Sequence, residues 1–415
     1  MTVGSRFFAA LAYPDYRTVW IATMSAGASA WALIVARGAL VFSLSGSSSL
    51  VGIVTFAAMS PQLIVPPFAG LLADKIDRRK LLAIAFSVNL LHNLVLAGLA
   101  ITGNILIWHV VVLSVINGIA RAIQMPAAQS LVPNLVPPDK LLNAVALNAA
   151  THHASRLLGP LLIAPLMSTV GTSWAFVLCS ILYAVGLVMI MRIQTVSTGV
   201  IEAKKSAISN FFAGLVYVYQ HRLILSIVVL VLFHCSLTMA FESVLPTLSS
   251  NKLGMGEAGF AYIMMAVGAG ALIVVVTLAG IQDQQARGRL YLCLGTASGF
   301  GLVALAMSPS VPLALVAAAF MGGCQAGFMT LTAVTIQSIV PDGIRGRVSS
   351  IYTMHVGGMM AIFNLVSGAL ADLFTAQTVL AVSGGSFVFI VALSLIRAPL
   401  RAFYSKGLLS IPGNK

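Results

Sequence analysis

The sequence predicts an all-α membrane protein with twelve transmembrane helices, arranged as two six-helix halves that repeat one another in parallel. Three observations predict this fold: few charges, one-sided basic residues and an internal repeat. Of 415 residues, 59% are hydrophobic and 8% are charged, and the mean hydropathy is +1.00, whereas soluble domains carry about 25% charged residues. So few charges could not cover a water-soluble surface, which excludes an ordinary soluble enzyme. Long apolar runs also exclude a collagen-like or disordered chain.

Twelve apolar runs have the length of about 20 residues that a helix needs to cross a bilayer. Glycine, proline and charged residues mark the breaks between them. The runs lie near 18–43, 49–73, 81–102, 106–131, 142–168, 174–191, 224–247, 258–281, 290–308, 311–338, 348–371 and 378–396. The longest break contains apolar residues at helical spacing, which predicts an amphipathic surface helix. We therefore expect an N-terminal half at 1–193, a cytoplasmic linker at 194–222 and a C-terminal half at 223–415.

The basic residues indicate the orientation of these spans. The formal charge is +13, and 19 of the 23 Lys and Arg residues fall on one side of the predicted spans. Only Lys252 falls on the other side, and Arg37, Arg121 and Arg156 lie within spans. Because Lys and Arg concentrate in cytoplasmic loops, we expect a multi-pass protein of the cytoplasmic membrane, in contact with lipid, with both termini in the cytoplasm. No basic stripe is interleaved with aromatic residues, so no nucleic-acid partner is expected.

A repeat of about 208 residues relates the two halves. Gln129–Pro133 reads QSLVP, and Gln337–Pro341 reads QSIVP 208 positions later. Asp74 has a near-counterpart in Asp283. Chance similarity between apolar segments is the alternative, but both copies fall at the ends of corresponding spans, 4 and 10. Six spans per half that start from the same side make a parallel repeat, which predicts a substrate site near mid-membrane between the halves.

The loop after span 2 carries the most specific motif. Gly70–Leu81 reads GLLADKIDRRKL, which resembles the signature G-x-L-a-D-r-x-G-R-R/K of the major facilitator superfamily, with Asp77 in place of the second glycine. This Asp77 variant and the segments 15–20, 135–144 and 340–347 are similar to sequences of one branch of the superfamily, the enterobactin exporters and transmembrane secretion effectors. The resemblance covers essentially the whole chain. It implies the superfamily fold and transport by alternating access.

The same resemblance implies that Gly70, Asp74, Arg78 and Arg79 belong to a cytoplasmic gate. Asp74 ends span 2, and the first amides of span 11, near Arg345, carry a partial positive charge. We expect Asp74 to bind that helix start in one conformer and to release it in the other. The alternative is a solvated loop whose charges serve only the topology.

Span 5 carries a second motif that bears on direction. Ser155–Ala164 reads SRLLGPLLIA, which is similar to the superfamily's antiporter signature G-x-x-x-G-P-x-x-G-G. Gly159 and Pro160 match it, small residues stand at both ends, and Ile163 departs from it. The resemblance implies an exporter rather than an importer. Close helix packing around small residues is the plain alternative.

Glu242 is the one acid well inside a predicted span, and Arg37 lies at a similar depth in span 1. Charges at this depth usually face a cavity or a partner. Two interpretations stay open: an Arg37–Glu242 ion pair that closes the outer mouth, or a carboxyl that exchanges protons during transport. His234 and Thr238 precede Glu242 at intervals of four, so the three are expected on one helix face. His234 is either a hydrogen-bond partner between helices or a proton carrier.

Polar residues recur at helical spacing in two spans of the first half. They are Asn148, His152 and Arg156 in span 5, with Asn117, Arg121 and Gln124 in span 4. No acid lies deep in these spans, so the arginines need acceptors from amides, carbonyls, water or substrate. Either neighbouring amides and backbone satisfy them, or the substrate has an anionic or acceptor-rich part.

The sequence contains no motif typical of a metal site, a nucleotide-binding site or an enzyme active site. The four cysteines lie in apolar runs without CxxC spacing, and Walker, HExxH and GxSxG patterns are absent, so we expect no metal, no cofactor and no enzyme. We expect a monomeric exporter, driven by the proton gradient, of a small hydrophobic or amphipathic molecule such as a drug, siderophore or secreted metabolite. An uptake symporter or facilitator on this fold, and a non-transporting membrane receptor or scaffold, are the alternatives.

Overall fold

The computed structural model describes residues 8–195 and 215–407, apart from 279 and 282. Within these ranges it describes every side chain except those of residues 67, 70, 71, 73–75, 142, 342, 343, 345, 346 and 350. The regular elements in these ranges are all helices, which confirms the predicted all-α fold class. Of the helices described, ten are long and apolar enough to cross a membrane.

The chain divides into two compact units. The first comprises Met1–Ser45 and Ala57–Lys204, and the second comprises Gly46–Phe56 and Lys205–Lys415. The first six spans are α1 (Pro14–Ser45), α2a (Ser48–Met59) with α2b (Pro61–Lys75), α3 (Arg78–Ile101), α4 (Ile107–Leu131), α5 (Leu141–Thr169) and α6 (Thr172–Met191). Most of α2a thus belongs to the second unit, although it precedes α2b in the sequence.

The second unit contains the other six spans. They are α7 (Arg222–Leu237), α8 (Gly259–Leu278), α9 (Gln284–Met307), α10 (Val311–Ile339), α11 (Asp342–Leu373) and α12 (Ala376–Ser394), followed by α13 (Ala398–Lys406). The helices α5 and α7 complete the predicted twelve: α5 carries the polar residues of span 5, and α7 has only 16 residues. The predicted linker helix lies largely outside the described residues, since 196–214 are not among them.

Both units pack their helices in the same pattern. In the first, α1 packs on α5 and α6, α3 on α4 and α6, and α2b on α4. In the second, α7 packs on α11 and α12, α9 on α10 and α12, and α8 on α10. The helices α4 and α10 end at Leu131 and Ile339, within the two copies of the predicted pentapeptide repeat. The shared pattern is the one that a parallel repeat produces.

An aspartate caps the third helix of each unit. Asp77 is the N-cap of α3 and accepts a hydrogen bond from the backbone N–H of Arg79 at 3.0 Å. Asp283 is the N-cap of α9 and accepts from the backbone N–H groups of Gln285 and Ala286. Asp77 and Asp283 therefore have the same capping role, because a side chain that caps a helix must stand directly before its first turn; the correspondence of Asp74 with Asp283 stays a prediction.

Span 7 is not the continuous helix over 224–247 that hydrophobicity predicts. The helix α7 ends at Leu237, and Thr238–Val244 is irregular before a short helical turn, Leu245–Thr247. Side chains of other helices supply hydrogen bonds in the break: Gln325 Nε2 donates to the Thr238 carbonyl at 2.6 Å, and Asn364 Oδ1 accepts from the Ser243 N–H at 3.1 Å. Such tertiary partners allow irregular backbone at membrane depth.

The terminal helix α13 was not predicted. It packs on α9, and its Tyr404 hydroxyl lies 2.8 Å from Ser394 Oγ of α12. Burial raises the pKa of Tyr404 to about 12, so the hydroxyl stays protonated and available for this hydrogen bond. The Tyr404 ring also stacks on the ring of Tyr291 of α9, so α13 is packed against the second unit by aromatic contacts.

Small residues bring α1 and α5 into close contact. A Cβ atom on Gly159 would lie 2.5 Å from the Ala28 carbonyl oxygen and 2.7 Å from the Ala32 nitrogen. A Cβ atom on Gly27 would lie 2.5 Å from Ser155 Oγ. The predicted antiporter-like segment is therefore the place where these two helices cross, in the close packing that small residues permit.

We expect Gly159→Ala to destabilise the protein, because the added methyl group meets backbone atoms of α1 that cannot rotate away. Gly98→Ala is the matched control, since a Cβ atom on Gly98 of α3 meets nothing within 4 Å and alanine favours a helix by about 1 kcal/mol over glycine. Thermal unfolding of the detergent-purified variants is the measurement. An equal melting temperature for both variants would contradict the contact.

Candidate functional site

The predicted cytoplasmic gate is described only in part. Gly70 and Asp74 lie on α2b, but their side chains and that of Arg345 are outside the described residues. Arg78 Nη1 donates to the Ser130 carbonyl at the end of α4, at 2.7 Å. Arg79 forms an ion pair with Asp77 at 2.8 Å. The two arginines thus brace the start of α3, and the contact of Asp74 with span 11 stays a prediction.

Arg79 also connects this loop to the chain that leaves α6. Its Nη1 atom donates to the carbonyls of Ile193 and Gln194, at 2.9 and 3.1 Å. The same stretch reaches Asp15, whose Oδ2 atom accepts from the N–H and hydroxyl of Thr195 at 2.9 and 2.5 Å. The beginning of α1, the loop before α3 and the end of α6 therefore form one polar cluster at this end of the first unit.

Two of the family-like segments contact each other. The hydroxyl of Tyr16 donates to the Ala144 carbonyl at 2.8 Å, and Asn143 Oδ1 accepts from the backbone N–H of Ala10 at 2.9 Å. Tyr16 and Ala144 are both fully buried. The resemblance in these segments thus corresponds to a contact between α1 and the start of α5.

A cationic cluster lies where α1 and α5 meet, with one residue from α4, and we define it as Trp31, Arg121, His152 and Arg156. The guanidinium carbon of the buried Arg156 lies 5.0 Å from the centre of the Trp31 ring, and the rings of Trp31 and His152 are 6.3 Å apart. Arg156 and Arg121 both act electrostatically on the His152 imidazole. Cation–π contact with tryptophan stabilises a guanidinium at such a depth. Sequence reasoning missed Trp31, because no spacing links a residue of α1 to one of α5.

Asn148 extends this cluster by one helical turn. Its Oδ1 atom is buried and has no hydrogen-bond partner among the residues that the structure describes. The side chains of Arg121, His152 and Arg156 provide hydrogen-bond donors. The Asn148 oxygen is an acceptor only, and it lies beside them without a partner in the described residues. The predicted grouping of Asn148, His152 and Arg156 on one face agrees with the continuous helix α5.

Asn117 and Gln124 belong to a different group of residues. Arg37 Nη1 donates to Ser114 Oγ at 3.1 Å and to Asn117 Oδ1 at 3.3 Å. Asn117 Nδ2 donates to Asn89 Oδ1 at 2.7 Å, and Asn89 Nδ2 donates to Gln124 Oε1 at 3.4 Å. We call this chain of Arg37, Ser114, Asn117, Asn89 and Gln124 the polar path. It joins α1, α3 and α4.

Two further side chains of α3 accompany the polar path. His92 and Asn93 are 2% and 0% exposed. The side chains of His92 and Asn93 interact with each other, but neither ring nitrogen of His92 nor Oδ1 of Asn93 has a hydrogen bond of normal geometry within the described ranges. Sequence reasoning missed Asn89, His92 and Asn93, although their spacing of three and four residues places them along one side of a helix.

In the second unit, the predicted residues are separated by the break in span 7. Glu242 is 4% exposed and lies in the irregular segment, while His234 is on α7. The two therefore do not share a helix face, which corrects the prediction made from their spacing. Arg37 and Glu242 belong to different units, and their pairing stays a prediction.

His234 is enclosed by aromatic rings. Its ring centre lies 4.5 Å from that of Phe328 and 5.0 Å from that of Phe387. Neither ring nitrogen has a hydrogen-bond partner in the part of the chain that the structure describes. The described residues therefore give no support to His234 as a hydrogen-bond partner between helices, and both interpretations of this residue stay predictions.

Asp372 holds the beginning of α2a within the second unit. Its carboxylate accepts from the Ser47 hydroxyl at 2.6 Å and from the backbone N–H groups of Ser48 and Ser49 at 2.7 and 2.9 Å. A Cβ atom on Gly368, one turn earlier on α11, would lie 2.4 Å from the Ser48 carbonyl oxygen. The structure makes it the acceptor for otherwise unpaired donors of a helix start.

Comparison with known proteins adds a family and several relatives. A family model described as "Transmembrane secretion effector" matches residues 5–412. The chain is 25% identical to "Enterobactin exporter EntS" of Shigella boydii over 94% of each chain. It is 24% identical to "Multidrug efflux pump Tap" of Mycolicibacterium fortuitum over 85% of this chain and 88% of that protein. It is 23% identical to "Staphyloferrin A transporter" of Staphylococcus aureus over 82% and 85%.

Solved structures share the fold. The nucleoside transporter NupG superposes with a TM-score of 0.75 and 13% identity, over 92% of this chain and 98% of that one. A D-xylose–proton symporter gives a TM-score of 0.74 and 14% identity, over 92% and 97%. Identities this low show the fold alone.

We expect Asp372→Ala to lower the stability of the protein by about 1–3 kcal/mol, because the donors at the start of α2a lose their acceptor. Asp372→Asn keeps one acceptor oxygen and should cost less. Glu257→Ala removes an exposed acid and serves as the control. Thermal unfolding in detergent measures the effect, and a melting temperature of Asp372→Ala equal to that of the control would refute the capping role.

Proposed function

We propose that this chain, which belongs to the transmembrane secretion effector family of the major facilitator superfamily, is a proton-coupled exporter of a small amphipathic molecule. The chain is an integral, multi-pass membrane protein with the fold of these transporters. Relatives named as an exporter and an efflux pump align with most of its length. That alignment is the observation that carries the proposal.

Whether substrate moves out of the cell depends on which face of the protein lies in the cytoplasm. The proposed orientation has both termini in the cytoplasm, and it is supported by the 19 basic residues on one side of the spans. The match of Gly159 and Pro160 to an antiporter signature favours export as well. Transport would move substrate outward while protons move inward, with no cofactor beyond the proton gradient.

The cationic cluster supports an anionic or acceptor-rich substrate. Arg121 and Arg156 lie at membrane depth, where charge is costly without a compensating partner. The spans of the first unit contain acids only near their ends, at Asp15 and Asp74. A substrate with a carboxylate or catecholate group would accept from these arginines, and a hydroxyl group on it would donate to the free oxygen of Asn148.

Proton exchange at Glu242 is supported by its place in the second unit. It is buried in the break of span 7, and irregular backbone at membrane depth commonly forms the ion or substrate site of a transporter. A carboxyl group in such a place changes its proton affinity when its surroundings change. Glu242 is accordingly our candidate for the coupling residue of this unit.

An uptake symporter is the second candidate. The fold is compatible with it, since a D-xylose–proton symporter has the same fold. A receptor or scaffold without transport is a third, and it would bind a partner while showing no flux. Everted vesicles with a pH-sensitive dye distinguish them: an exporter accumulates its substrate and consumes the proton gradient, whereas an uptake system accumulates substrate only in right-side-out vesicles.

Substrate recognition by the cationic cluster can be tested by mutation. In everted vesicles tested with enterobactin, a citrate-based siderophore and the cation ethidium, we expect Arg156→Gln to lower kcat/KM for anionic probes at least about tenfold, or about 1.4 kcal/mol. Arg156→Lys should rescue this only in part, because lysine lacks the flat face that stacks on Trp31. Arg192→Gln, at an exposed site, is the control. A loss confined to ethidium would refute the anionic class.

The coupling of proton movement to transport can be tested at Glu242. We expect Glu242→Gln to abolish the fall of the proton gradient on substrate addition, because glutamine cannot bind or release the proton. Glu257→Gln, at an exposed acid outside the break, should behave as the unmodified protein. The pH-sensitive dye in everted vesicles gives the measurement. Normal transport by Glu242→Gln with an unchanged pH profile would exclude the residue from coupling.

A further inference from the structure

The polar path crosses the interior of the first unit as a continuous run of hydrogen-bonding side chains. It begins at Arg37 on α1, passes through Asn117 and Asn89, and ends at Gln124. Two residues of the path, Asn117 and Gln124, lie on α4 and are seven residues apart, which is about 10 Å along a helix. The path therefore extends over roughly a third of the hydrocarbon thickness.

Buried polar atoms beside this path lack partners. They are Nδ1 and Nε2 of His92, Oδ1 of Asn93 and the hydroxyl of Tyr183, none of which has a hydrogen bond of normal geometry to a described residue, although the side chains of His92 and Asn93 interact with each other. Tyr183 and Asn93 are 0% exposed and His92 is 2% exposed. An unsatisfied buried group costs about 1–3 kcal/mol, and internal water molecules bind where such groups cluster. Donors and acceptors are both present, as a hydrogen-bonded water requires.

We propose that the polar path holds bound water and that His92 is a proton-binding residue of the first unit. The inference rests on the proposed proton-coupled transport and names a site for one of its protons. The neutral imidazole takes a proton from a hydronium ion delivered along the water and becomes imidazolium. The reverse step returns the proton to water, so no other reactant is needed.

The groups that face His92 determine when it binds the proton. The helix α3 packs on α4 and α6, whose ionisable side chains near the path are Arg121, Cys179 and Tyr183. Arg37 of α1 acts electrostatically on His92. A nearby positive charge opposes the formation of an imidazolium, and hydrogen bonds hold Arg37 beside Ser114 and Asn117. Proton binding therefore follows a change in the position or screening of Arg37.

This arrangement couples a charge to a conformation. The unit contains other imidazoles at membrane depth, His152 and His153, but they belong to the cationic cluster and act on each other there. His92 is 2% exposed, and the polar path passes through Asn89, which lies about one helical turn before it on α3. A group with restricted access is suited to bind a proton in one conformer and release it in another.

Proton counting on purified protein tests the site without requiring transport. A pH-indicator dye records protons bound by the detergent-purified full chain between pH 8 and pH 4. In the Arg37→Gln background, which removes the opposing positive charge, His92→Gln should bind about one proton fewer than the chain that keeps His92. With Arg37 in place, the same difference should move to lower pH. Equal proton counts with and without His92, also in the Arg37→Gln background, would overturn the proposal.

The bound water has its own measurement. Radiolytic labelling in H₂¹⁸O oxidises side chains next to bound water, and we expect modification of Tyr183 despite its burial. Phe176 is the control, since it is equally buried on the same helix. Asn89→Leu, which interrupts the polar path, should reduce the labelling of Tyr183. Labelling of Tyr183 no greater than that of Phe176 would show a dry interior and overturn the water path.

Transport assays separate this inference from the proposed function. In liposomes tested with enterobactin and ethidium, His92→Gln should lose accumulation driven by a proton gradient while keeping counterflow exchange, which needs no net proton movement. His221→Gln, at an exposed histidine, should keep both. Driven accumulation equal to that of the control would overturn the role of His92. If the unmodified chain moves neither probe in either direction, the export proposal fails for these probes while the proton count and labelling still decide the site.

Discussion

The membrane interior supplies no hydrogen-bond partners, and this constraint accounts for most of the structure. Backbone groups can then be satisfied only within helices or by neighbouring side chains. The irregular segment of span 7 shows the second case, since Gln325 and Asn364 bond to its backbone. The same constraint explains why Arg156 stacks on Trp31 and why Arg37 is bonded to Asn117. Each polar residue at depth thus determines what must lie beside it.

Helix packing and the candidate substrate site are connected through one crossing. Gly159 approaches the backbone of α1 at Ala28 and Ala32, and Ser155 lies against Gly27. Trp31 and Arg156 stand between these contacts in their own sequences, so the crossing that small residues permit also brings the ring under the guanidinium. A mutation that separates α1 from α5 would therefore disturb recognition as well as stability.

The repeat duplicates the scaffold but not the chemistry. Both units use the same pattern of helix contacts, yet the first concentrates arginines and amides, whereas the second contains Glu242, a broken helix and the aromatic enclosure of His234. This difference suits a transporter in which one unit recognises an anionic group and each unit handles a proton in its own way.

The sequence by itself determined the twelve spans, the parallel repeat and the family, because hydrophobic length, charge placement and a loop motif are local properties of the chain. It also identified Arg156, His152 and Asn148, whose spacing within one helix is readable from the order of residues. Contacts between helices were decided by the tertiary structure: Trp31 under Arg156, Asn89 between Asn117 and Gln124, and Asp372 at the start of α2a. The break after Leu237 belongs to the same class, since partners that are distant in sequence stabilise it. Hydrophobicity measures how well a segment suits lipid, but it carries no information about which neighbour will meet a given polar atom.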